Sequence, residues 1–209
     1  IEAPGRHFAL FDAGSVDPDL RGPRAAQDVI LPYLRGRGCH RIEVVVLSHP
    51  DEDHCNAARA LVATGMVGSL VLAPVVEGTE PGQGYLRLLD AARANGIQVN
   101  TAQRGAQLRL GEAVVQFLHP QPYPVESSSP ENDNGLVAAV EAGGRRVLLT
   151  GDVEAAGQAE LLAAVGPEAL RADVLQLPHH ARASAGWVPS GEDAAPKLAV
   201  VHDGPWYAG

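Results

Sequence analysis

Short apolar runs alternate with amphipathic stretches along the whole chain. The run over residues 42–47, in which four of the six residues are β-branched, predicts a buried strand. Stretches rich in alanine and leucine, with apolar residues three or four positions apart, predict helices. The expected strands are 8–11, 42–47, 69–72, 114–118, 136–141, 145–150, 172–177 and 197–201, and the expected helices are 28–34, 57–62, 85–94 and 155–165.

Turn residues mark the connections between these elements. Gly143-Gly144 separates two predicted strands and indicates a tight hairpin, whereas residues 120–130 contain four prolines and three serines and predict a loop. The order of strands and helices falls into two αβ halves with no linker between them. The pattern therefore predicts an α/β fold that forms one domain over residues 1–209.

Composition and charge narrow the class of protein. Hydrophobic residues make up 45% and charged residues 20% of the 209 residues, which is typical of a soluble globular domain. No apolar run approaches the roughly 20 residues that a membrane span requires. The net charge of −9 opposes binding of polyanions at long range. The two cysteines do not form a CxxC pair, so no disulfide framework or zinc knuckle is expected.

Two histidines and three acidic residues follow the 42–47 strand in the segment His49-Pro50-Asp51-Glu52-Asp53-His54. Side chains two positions apart in an extended segment point the same way, so His49 and Asp51 can hold one ion. Asp53 and His54 begin the next helix and can face a neighbouring ion. Imidazole nitrogens combined with carboxylate oxygens suit zinc, manganese or iron. The alternative is a solvated acidic turn, which needs neither residue type.

Two further strand ends carry candidate ligands. Thr150-Gly151-Asp152 ends one strand, and a carboxylate there can bridge two ions, although a Gly-Asp pair alone commonly marks a turn. His179-His180 ends another, and because adjacent side chains of an extended strand diverge, we expect only one of them to ligate. The other can stabilise a phosphate or donate a proton.

These blocks, in this order and spacing, resemble the metallo-β-lactamase superfamily. With aspartate at position 51, where most members have histidine, the sequence is similar to the C-terminal soluble domain of ComEC-type competence proteins, which internalise DNA. The segments Leu10–Gly14, Val29–Leu34, Leu118–Pro120 and Asn132–Val137 also agree, and the likeness extends from about Phe8 to Tyr207.

The resemblance implies an αββα sandwich that holds two divalent ions, zinc or manganese. It implies metal ligation by His49, Asp51, Asp53, His54, a bridging Asp152 and one of His179 and His180. Asp53, Asp152, His179 and Asn134 are the expected catalytic residues. It also implies phosphodiester hydrolysis, with single-stranded DNA as the expected substrate, and attachment to a membrane channel domain outside this chain, which itself has no membrane segment. We therefore expect a soluble domain of a bacterial inner-membrane protein, or otherwise a cytoplasmic protein.

The sequence departs from the family at several places. Asn56 and Ala57 stand where two glycines are usual, so the backbone geometry after the metal loop is expected to differ. His179-His180-Ala181-Arg182 replaces a segment with glycine and serine, and gains a cation that can pair with phosphate. The family's strand before Phe8 is absent, so the domain is expected to begin one strand late.

Two other function classes remain open from the sequence. The first is a hydrolase of the same fold that cleaves another bond, such as a lactone, a thioester, a lactam or a small phosphodiester. The second is a non-catalytic domain that binds a partner. The aspartate at position 51 disfavours the first class, and the survival of the candidate ligands disfavours the second.

Overall fold

A computed structural model of the protein describes residues 1–17, 19–182 and 196–201 and divides the chain into two compact units. Unit 1 comprises residues 1–72 and 80–101, and unit 2 comprises residues 73–79 and the described part of 102–202. Each unit has its own β-sheet and its own apolar core. Tyr207, the expected end of the family likeness, lies outside the described residues.

The sheet of unit 1 has five strands in the order β1-β2-β3-β4-β5. Strands β2 to β5 are parallel, and β1 pairs antiparallel with β2. All four residues of β3 are buried, as expected for a continuous apolar run in a central parallel strand. The five strands are β1 (Glu2–Ala3), β2 (His7–Phe11), β3 (Val44–Leu47), β4 (Ser69–Leu72) and β5 (Gln98–Thr101).

The helices of unit 1 bury one apolar side each. The longest, α4 (Gln83–Ala94), buries Tyr85, Leu88 and Ala92 at a spacing of three and four residues, and the chain leaves it at Gly96 with a left-handed φ of 66°. The remaining helical segments are a π-helical stretch (Ala25–Ile30) that continues into α1 (Leu31–Gly36), and the short helices α2 (Glu52–Cys55) and α3 (Ala58–Ala63).

The amino-terminal part of unit 1 differs from the expectation. The pattern predicts no strand before Phe8, whereas Glu2–Ala3 pairs with Phe8 and His7. Gly5 and Arg6, both with left-handed φ (87° and 65°), make the turn that allows this pairing. The pattern also does not predict strand β5, because its four residues are all exposed and show no apolar alternation.

Unit 2 contains a six-stranded sheet in the order β11-β10-β9-β8-β7-β6. Strands β6 to β9 are antiparallel neighbours, and β9, β10 and β11 are parallel. The predicted hairpin is confirmed: Gly143 and Gly144 join β8 to β9 with φ values of 55° and 71°. The strands are β6 (Gln107–Leu110), β7 (Ala113–His119), β8 (Val137–Ala142), β9 (Arg145–Leu149), β10 (Val174–Gln176) and β11 (Leu198–Val200).

Helix α6 (Ala155–Val165) packs against the apolar core of unit 2. Its Leu161 is fully buried in a cluster with Leu118, Leu148 and Leu175 of the sheet. The short helix α5 (Pro130–Asp133) and two 3-10 turns (Pro167–Leu170 and Pro178–Ala181) complete the described elements. With two mixed sheets and interspersed helices, the predicted α/β class is confirmed. Among the described residues, no helix combines the length and the apolar character needed to cross a membrane.

Candidate metal centre

The carboxyl end of β3 carries the predicted histidine-aspartate segment. Strand β3 ends at Leu47, and His49 follows it after Ser48. His49 is almost completely buried, and His54, inside α2, is buried as well. The aspartates are more accessible, with side-chain exposures of 53% for Asp51 and 28% for Asp53. The strand end therefore places the imidazoles in the interior and the carboxylates towards solvent.

Asp12, at the end of the neighbouring strand β2, anchors this segment. Its Oδ1 accepts a hydrogen bond from the Ser48 amide at 2.7 Å, and its Oδ2 accepts one from the Ser48 hydroxyl at 2.8 Å. The Asp12 amide donates to the Val46 carbonyl at 2.8 Å. Its φ of 61° is left-handed, a conformation that aspartate tolerates better than most residues.

The hydrogen bonds to Asp12 determine which ring nitrogen of each histidine carries the proton. His54 Nδ1 lies 2.9 Å from Asp12 Oδ2, and a carboxylate only accepts, so His54 donates from Nδ1. The single Ser48 proton is already donated to Asp12. His49 Nδ1, 2.9 Å from Ser48 Oγ, must therefore donate as well. Both imidazoles consequently present an unprotonated Nε2, the atom that would bind a cation.

The surroundings of the Nε2 atoms fit a bound cation. His49 Nε2 lies 3.6 Å from Asp51 Oδ2, and His54 Nε2 lies 3.8 Å from Asp53 Oδ2, with the two ring centroids 4.1 Å apart. Within the described part of the chain, the buried His49 Nε2 accepts no hydrogen bond. A buried polar atom left in this way requires a partner, and a cation between the imidazole and carboxylate atoms would supply it.

The backbone around this segment is closely packed. A Cβ built on Gly14 would lie 2.1 Å from the Asp53 carbonyl oxygen, so only glycine fits there. Asn56 accepts from the amides of Ser15 and Gly22 and donates to the Ser15 carbonyl. Ala57 has an ordinary helical φ of −88°. Alanine is therefore compatible with this position, because the backbone there is not left-handed.

Cys55 follows the last residue of the motif but differs from it chemically. Its thiol is buried and points to the Pro50 carbonyl oxygen, 3.7 Å away. Burial, reinforced by the negative charge of Glu52, raises the pKa of Cys55 to about 12. The protonated thiol packs as a small apolar group and makes a poor metal ligand.

Unit 2 presents a second group of candidate ligands. Gly151, with a left-handed φ of 53°, turns the chain after β9 so that Asp152 is almost completely buried. Thr150 fixes this turn to the next strand by donating its hydroxyl proton to the Gln176 carbonyl at 2.8 Å. Asp152 thus occupies the strand end that the sequence predicts for it.

His179 and His180 follow β10 in an unusual backbone conformation. His179, His180 and Ala181 have left-handed φ values of 46°, 54° and 59° in succession. This places the Nε2 atoms of both histidines near the same oxygen, Asp152 Oδ2, at 3.8 Å and 3.5 Å. We expected the two side chains to diverge because an extended backbone was assumed. The backbone is instead left-handed, and the two side chains point to the same carboxylate.

Asn134 and His119 are engaged in the framework of unit 2. The side-chain NH₂ group of Asn134 donates to the backbone carbonyls of Val125 and Pro130, and its Oδ1 accepts from the backbone amide of Val125. Asn134 therefore clamps the 120–130 loop. His119 is fully buried between the Asp133 carbonyl and the Glu160 carboxylate, and burial lowers its pKa. These contacts hold the loop in place and leave no donor of the Asn134 amide for a substrate.

The sequence does not predict Asp12, Ser48 or Glu154 as site residues. Asp12 lies in the segment Leu10–Gly14, which agrees with the family but carries no assigned role, and Glu154, whose Oε1 lies 2.8 Å from His179 Nδ1, belongs to no motif. The available signal for Asp12 is its position after a strand that lies parallel to that of His49, since the carboxyl ends of adjacent parallel strands meet. Nothing comparable in the sequence indicates Glu154.

The donor types of both groups are those of a transition-metal site. Asp53 with His54, and Asp152 with His180, each offer a carboxylate oxygen and an imidazole nitrogen as ligand atoms. Zinc and manganese bind such combinations. Each unit therefore carries a metal-binding set of side chains at the end of its sheet.

The fold and these donor sets define a class of α/β proteins with candidate metal ligands at the strand ends, and sequence comparison gives the family. The sequence model of the beta-lactamase superfamily domain matches residues 7–189, and the chain belongs to that superfamily. Curated proteins are also similar to the chain. ComE operon protein 3 of Bacillus subtilis (strain 168) is 30% identical over 178 residues, which are 85% of this chain and 22% of that protein.

A second relative and a solved structure agree with this assignment. Competence protein ComA of Neisseria gonorrhoeae is 28% identical over 204 residues, covering 98% of this chain and 25% of the relative. The chain thus spans about a quarter of the length of these relatives. The metallo-beta-lactamase fold protein YhfI from Bacillus subtilis has a TM-score of 0.50 at 14% identity, covering 93% of this chain and 75% of YhfI, which supports the fold alone.

Proposed function

We propose that the protein is a metal-dependent phosphodiesterase that hydrolyses single-stranded DNA. The observation that carries this proposal is the 49–54 segment, in which two buried histidines present unprotonated Nε2 atoms beside the Asp51 and Asp53 carboxylates. Membership of the beta-lactamase superfamily supports a metal-dependent hydrolase. The aspartate at position 51 and the word "competence" in the name of the gonococcal relative favour DNA phosphodiesters over lactams.

The proposed cofactor is a pair of divalent ions, zinc or manganese. Zinc usually takes four ligands, so the four side chains of the 49–54 segment cannot satisfy two ions by themselves. We propose that Asp152, to which the family resemblance assigns the bridging role, and one histidine of the pair His179 and His180 would supply the remaining ligands. Such a pair, when bound, activates water near neutral pH and neutralises charge on the phosphoryl oxygens.

The side chains of the protein have distinct tasks in this proposal. Asp12 and Ser48 keep the Nε2 atoms of His49 and His54 unprotonated. Asp53 and Asp152 orient the attacking water in line with the phosphorus–oxygen bond that breaks. The histidine of this pair that binds no ion, which we propose to be His179, donates a proton to the departing oxygen. Asn134 is an expected catalytic residue, but because its side-chain amide clamps the 120–130 loop, we assign it no contact with the substrate.

The charge of the chain limits how it would bind DNA. With a net charge of −9, attraction for a polyanion must be local, and bound divalent ions would supply it. Few lysines or arginines would then displace counterions. We therefore expect modest affinity with a shallow dependence on salt, and no sequence-specific recognition. Because the relatives are about four times longer, we further propose that this domain serves a bacterial inner-membrane protein with a channel domain.

The test is an activity panel with matched histidine variants. Purified protein supplemented with manganese or zinc is assayed on labelled single-stranded DNA, bis-p-nitrophenyl phosphate, a lactone, a thioester and nitrocefin. We expect turnover of the two phosphodiesters, its loss in His49→Ala, and its retention in His40→Ala, because His40 is exposed and outside the candidate centre. Lactone, thioester or nitrocefin turnover alone would refute the phosphodiesterase, and equal activity of His49→Ala and wild type would refute the site.

Metal analysis of the same preparations tests the cofactor. We expect two equivalents of metal per chain in the wild type after loading with excess ion and removal of unbound metal. A stoichiometry that stays at or below one would refute the binuclear proposal. Metal binding without turnover of any substrate in the panel would instead favour a domain that binds a partner.

A further inference from the structure

Helix α6 begins shortly after Asp152, and its first turn is capped from a distant part of the chain. A side-chain oxygen immediately before a helix, here that of Glu154, normally accepts a hydrogen bond from the second or third helical amide. The Glu154 side chain makes no such bond. The third amide, that of Gly157, donates instead to Asp133 Oδ1 at 2.8 Å. The cap of α6 therefore comes from helix α5, 24 positions earlier in the sequence.

Asp133 also packs directly against the backbone of this first turn. A Cβ built on Gly157 would lie 2.6 Å from the Asp133 carbonyl oxygen and 2.6 Å from Val153 Cγ2, so only glycine allows this approach. Asp133 is almost completely buried, and the positive end of the helix dipole stabilises a carboxylate at this place. The contact between the two segments therefore combines a hydrogen bond with close packing.

The segment that carries the cap is itself held in place. The Asp133 carbonyl accepts a hydrogen bond from Nε2 of the buried His119 at 2.7 Å, and the Asp133 amide donates to the Ser129 carbonyl at 2.9 Å. The side-chain amide of the preceding residue, Asn132, donates to Glu154 Oε1 at 3.3 Å. Two consecutive residues of α5 are thus tied to the start of α6.

The first turn of α6 is linked in turn to Asp152. Gln158, fully buried on that turn, donates from Nε2 to the Val153 carbonyl at 2.9 Å, and Val153 is the residue next to Asp152. On the other side of Asp152, the Gly151 carbonyl accepts from the His179 amide at 3.1 Å. A shift of the first turn would therefore displace Asp152, the proposed bridging ligand.

We propose that Asp133 is a positioning residue that anchors the first turn of α6 and thereby holds Asp152 in place among the candidate ligands of unit 2. The inference rests on the proposed function for the part that Asp152 takes in the reaction, whereas the anchoring is a property of the protein alone. It also gives a role to the Asn132–Val137 block, from which the sequence predicts Asn134 as a catalytic residue.

The first test measures amide hydrogen exchange by NMR in the metal-free protein. Asp133→Ala removes the cap, so the Gly157 amide should lose about 3- to 30-fold in protection, the range that corresponds to the usual cost of a lost cap. The His179 amide should also exchange faster, because its acceptor Gly151 moves. Asp133→Asn should stay close to wild type, since its side-chain oxygen can still accept from Gly157. Glu112→Ala, which removes an exposed carboxylate of unit 2, should change neither amide.

The second test uses the opposite side of the same contact. Helix propensity alone predicts that Gly157→Ala stabilises α6 and raises the melting temperature. The close approach of Asp133 predicts the reverse, because the added methyl group would push α5 away from the helix. A melting temperature above that of wild type would overturn the anchoring contact.

The third test is the activity on bis-p-nitrophenyl phosphate. Removing a residue that supports a metal-binding side chain typically costs about 10- to 100-fold in activity. Asp133 acts through intervening residues, so Asp133→Ala should lower kcat by about 10-fold with little change in KM, and Asp133→Asn should recover most of the loss. Leu170→Val controls for stability, because it weakens the apolar core of unit 2 outside the first turn of α6 and should keep the wild-type kcat.

The outcomes separate the inference from the function on which it rests. A folded Asp133→Ala protein with wild-type exchange at Gly157 and His179 would overturn the anchoring. Equal kcat values for Asp133→Ala and wild type, or an equal loss of kcat in Leu170→Val, would overturn the positioning role. If no variant, including wild type, turns over the phosphodiester but the exchange rates change as expected, the anchoring role of Asp133 stands and the phosphodiesterase proposal fails.

Discussion

The substitution Asp12→Asn should reverse the hydrogen-bond network behind the two buried histidines without disrupting the fold. The side-chain oxygen of the asparagine would still accept from the Ser48 amide, which lies 2.7 Å from Asp12 Oδ1. The new NH₂ group would stand in place of Oδ2 and donate to Ser48 Oγ and His54 Nδ1, which lie 2.8 Å and 2.9 Å from Oδ2. Ser48 would then donate to His49. Both histidines would keep their partners but carry the proton on Nε2, where a cation would have to bind.

The magnitude follows from the number of ligands affected. Loss of one residue that orients a metal-binding histidine typically costs about 10- to 100-fold in metal affinity. Asp12 serves two histidines, so even the lower value for each predicts about a 100-fold weaker affinity, or about 2.8 kcal/mol. The folded state should lose little, since each group that Asp12 contacts keeps a hydrogen-bond partner and asparagine tolerates the left-handed φ of 61°.

A zinc competition titration with a chromophoric chelator at neutral pH would measure this effect. Asp19→Asn is the matched control, because it makes the same chemical change at an exposed residue of the same unit. The melting temperature of the metal-free protein should be close to wild type in both variants. An Asp12→Asn protein with native stability and a zinc Kd close to that of wild type would show that Asp12 does not set the protonation of the histidines.

Three further perturbations test other parts of the structure. Asp152→Asn should lower phosphodiester turnover by at least about 100-fold, more than loss of an orienting residue, while leaving the circular dichroism spectrum unchanged; retained turnover would remove Asp152 from the site. Ala181→Gly should raise the free energy of unfolding by about 0.5–1 kcal/mol in a denaturant titration, because alanine is strained at a φ of 59°. Ala159→Gly is the control: it lies on the exposed side of α6, away from the helix ends, and should lower the free energy of unfolding by about 1 kcal/mol. Burial raises the pKa of Cys55 from 9.0 to about 12, so the unfolded chain releases this proton first. The contribution of Cys55 to stability should therefore be complete below pH 9 and be lost as the pH rises towards 12, and a Cys55→Ala protein should lack that part of the decline.

The sequence predicts the elements whose stability comes from local apolar pattern. Strand β3, helices α4 and α6 and the Gly143-Gly144 hairpin all appear close to their predicted bounds. The missed strand β5 (Gln98–Thr101) has four exposed residues and no apolar alternation, and its position is set by pairing with β4, which leaves no periodic signal in the strand itself. The missed strand β6 (Gln107–Leu110) does alternate polar and apolar residues, but the run is only four residues long, and pairing with β7 sets its position.

The candidate site shows the same division between local and long-range information. The ligand types are visible because histidine and aspartate are concentrated in short segments after predicted strands. The residues behind the histidines are not visible, because Asp12 reaches His54 across 42 positions and Glu154 reaches His179 across a separate strand. The left-handed succession at His179–Ala181 is also hidden, since nothing in three non-glycine residues favours that backbone.

The two units place a carboxylate behind a histidine by different routes. In unit 1, Asp12 comes from the end of the adjacent parallel strand and serves two imidazoles, one directly and one through Ser48. In unit 2, Glu154 comes from the start of a helix whose capping is carried out by Asp133. A neutral imidazole has little intrinsic preference between its tautomers, and burial alone would not choose one. In unit 1 the Asp12 carboxylate makes that choice before any cation binds, so the chain itself specifies which nitrogen His54 presents.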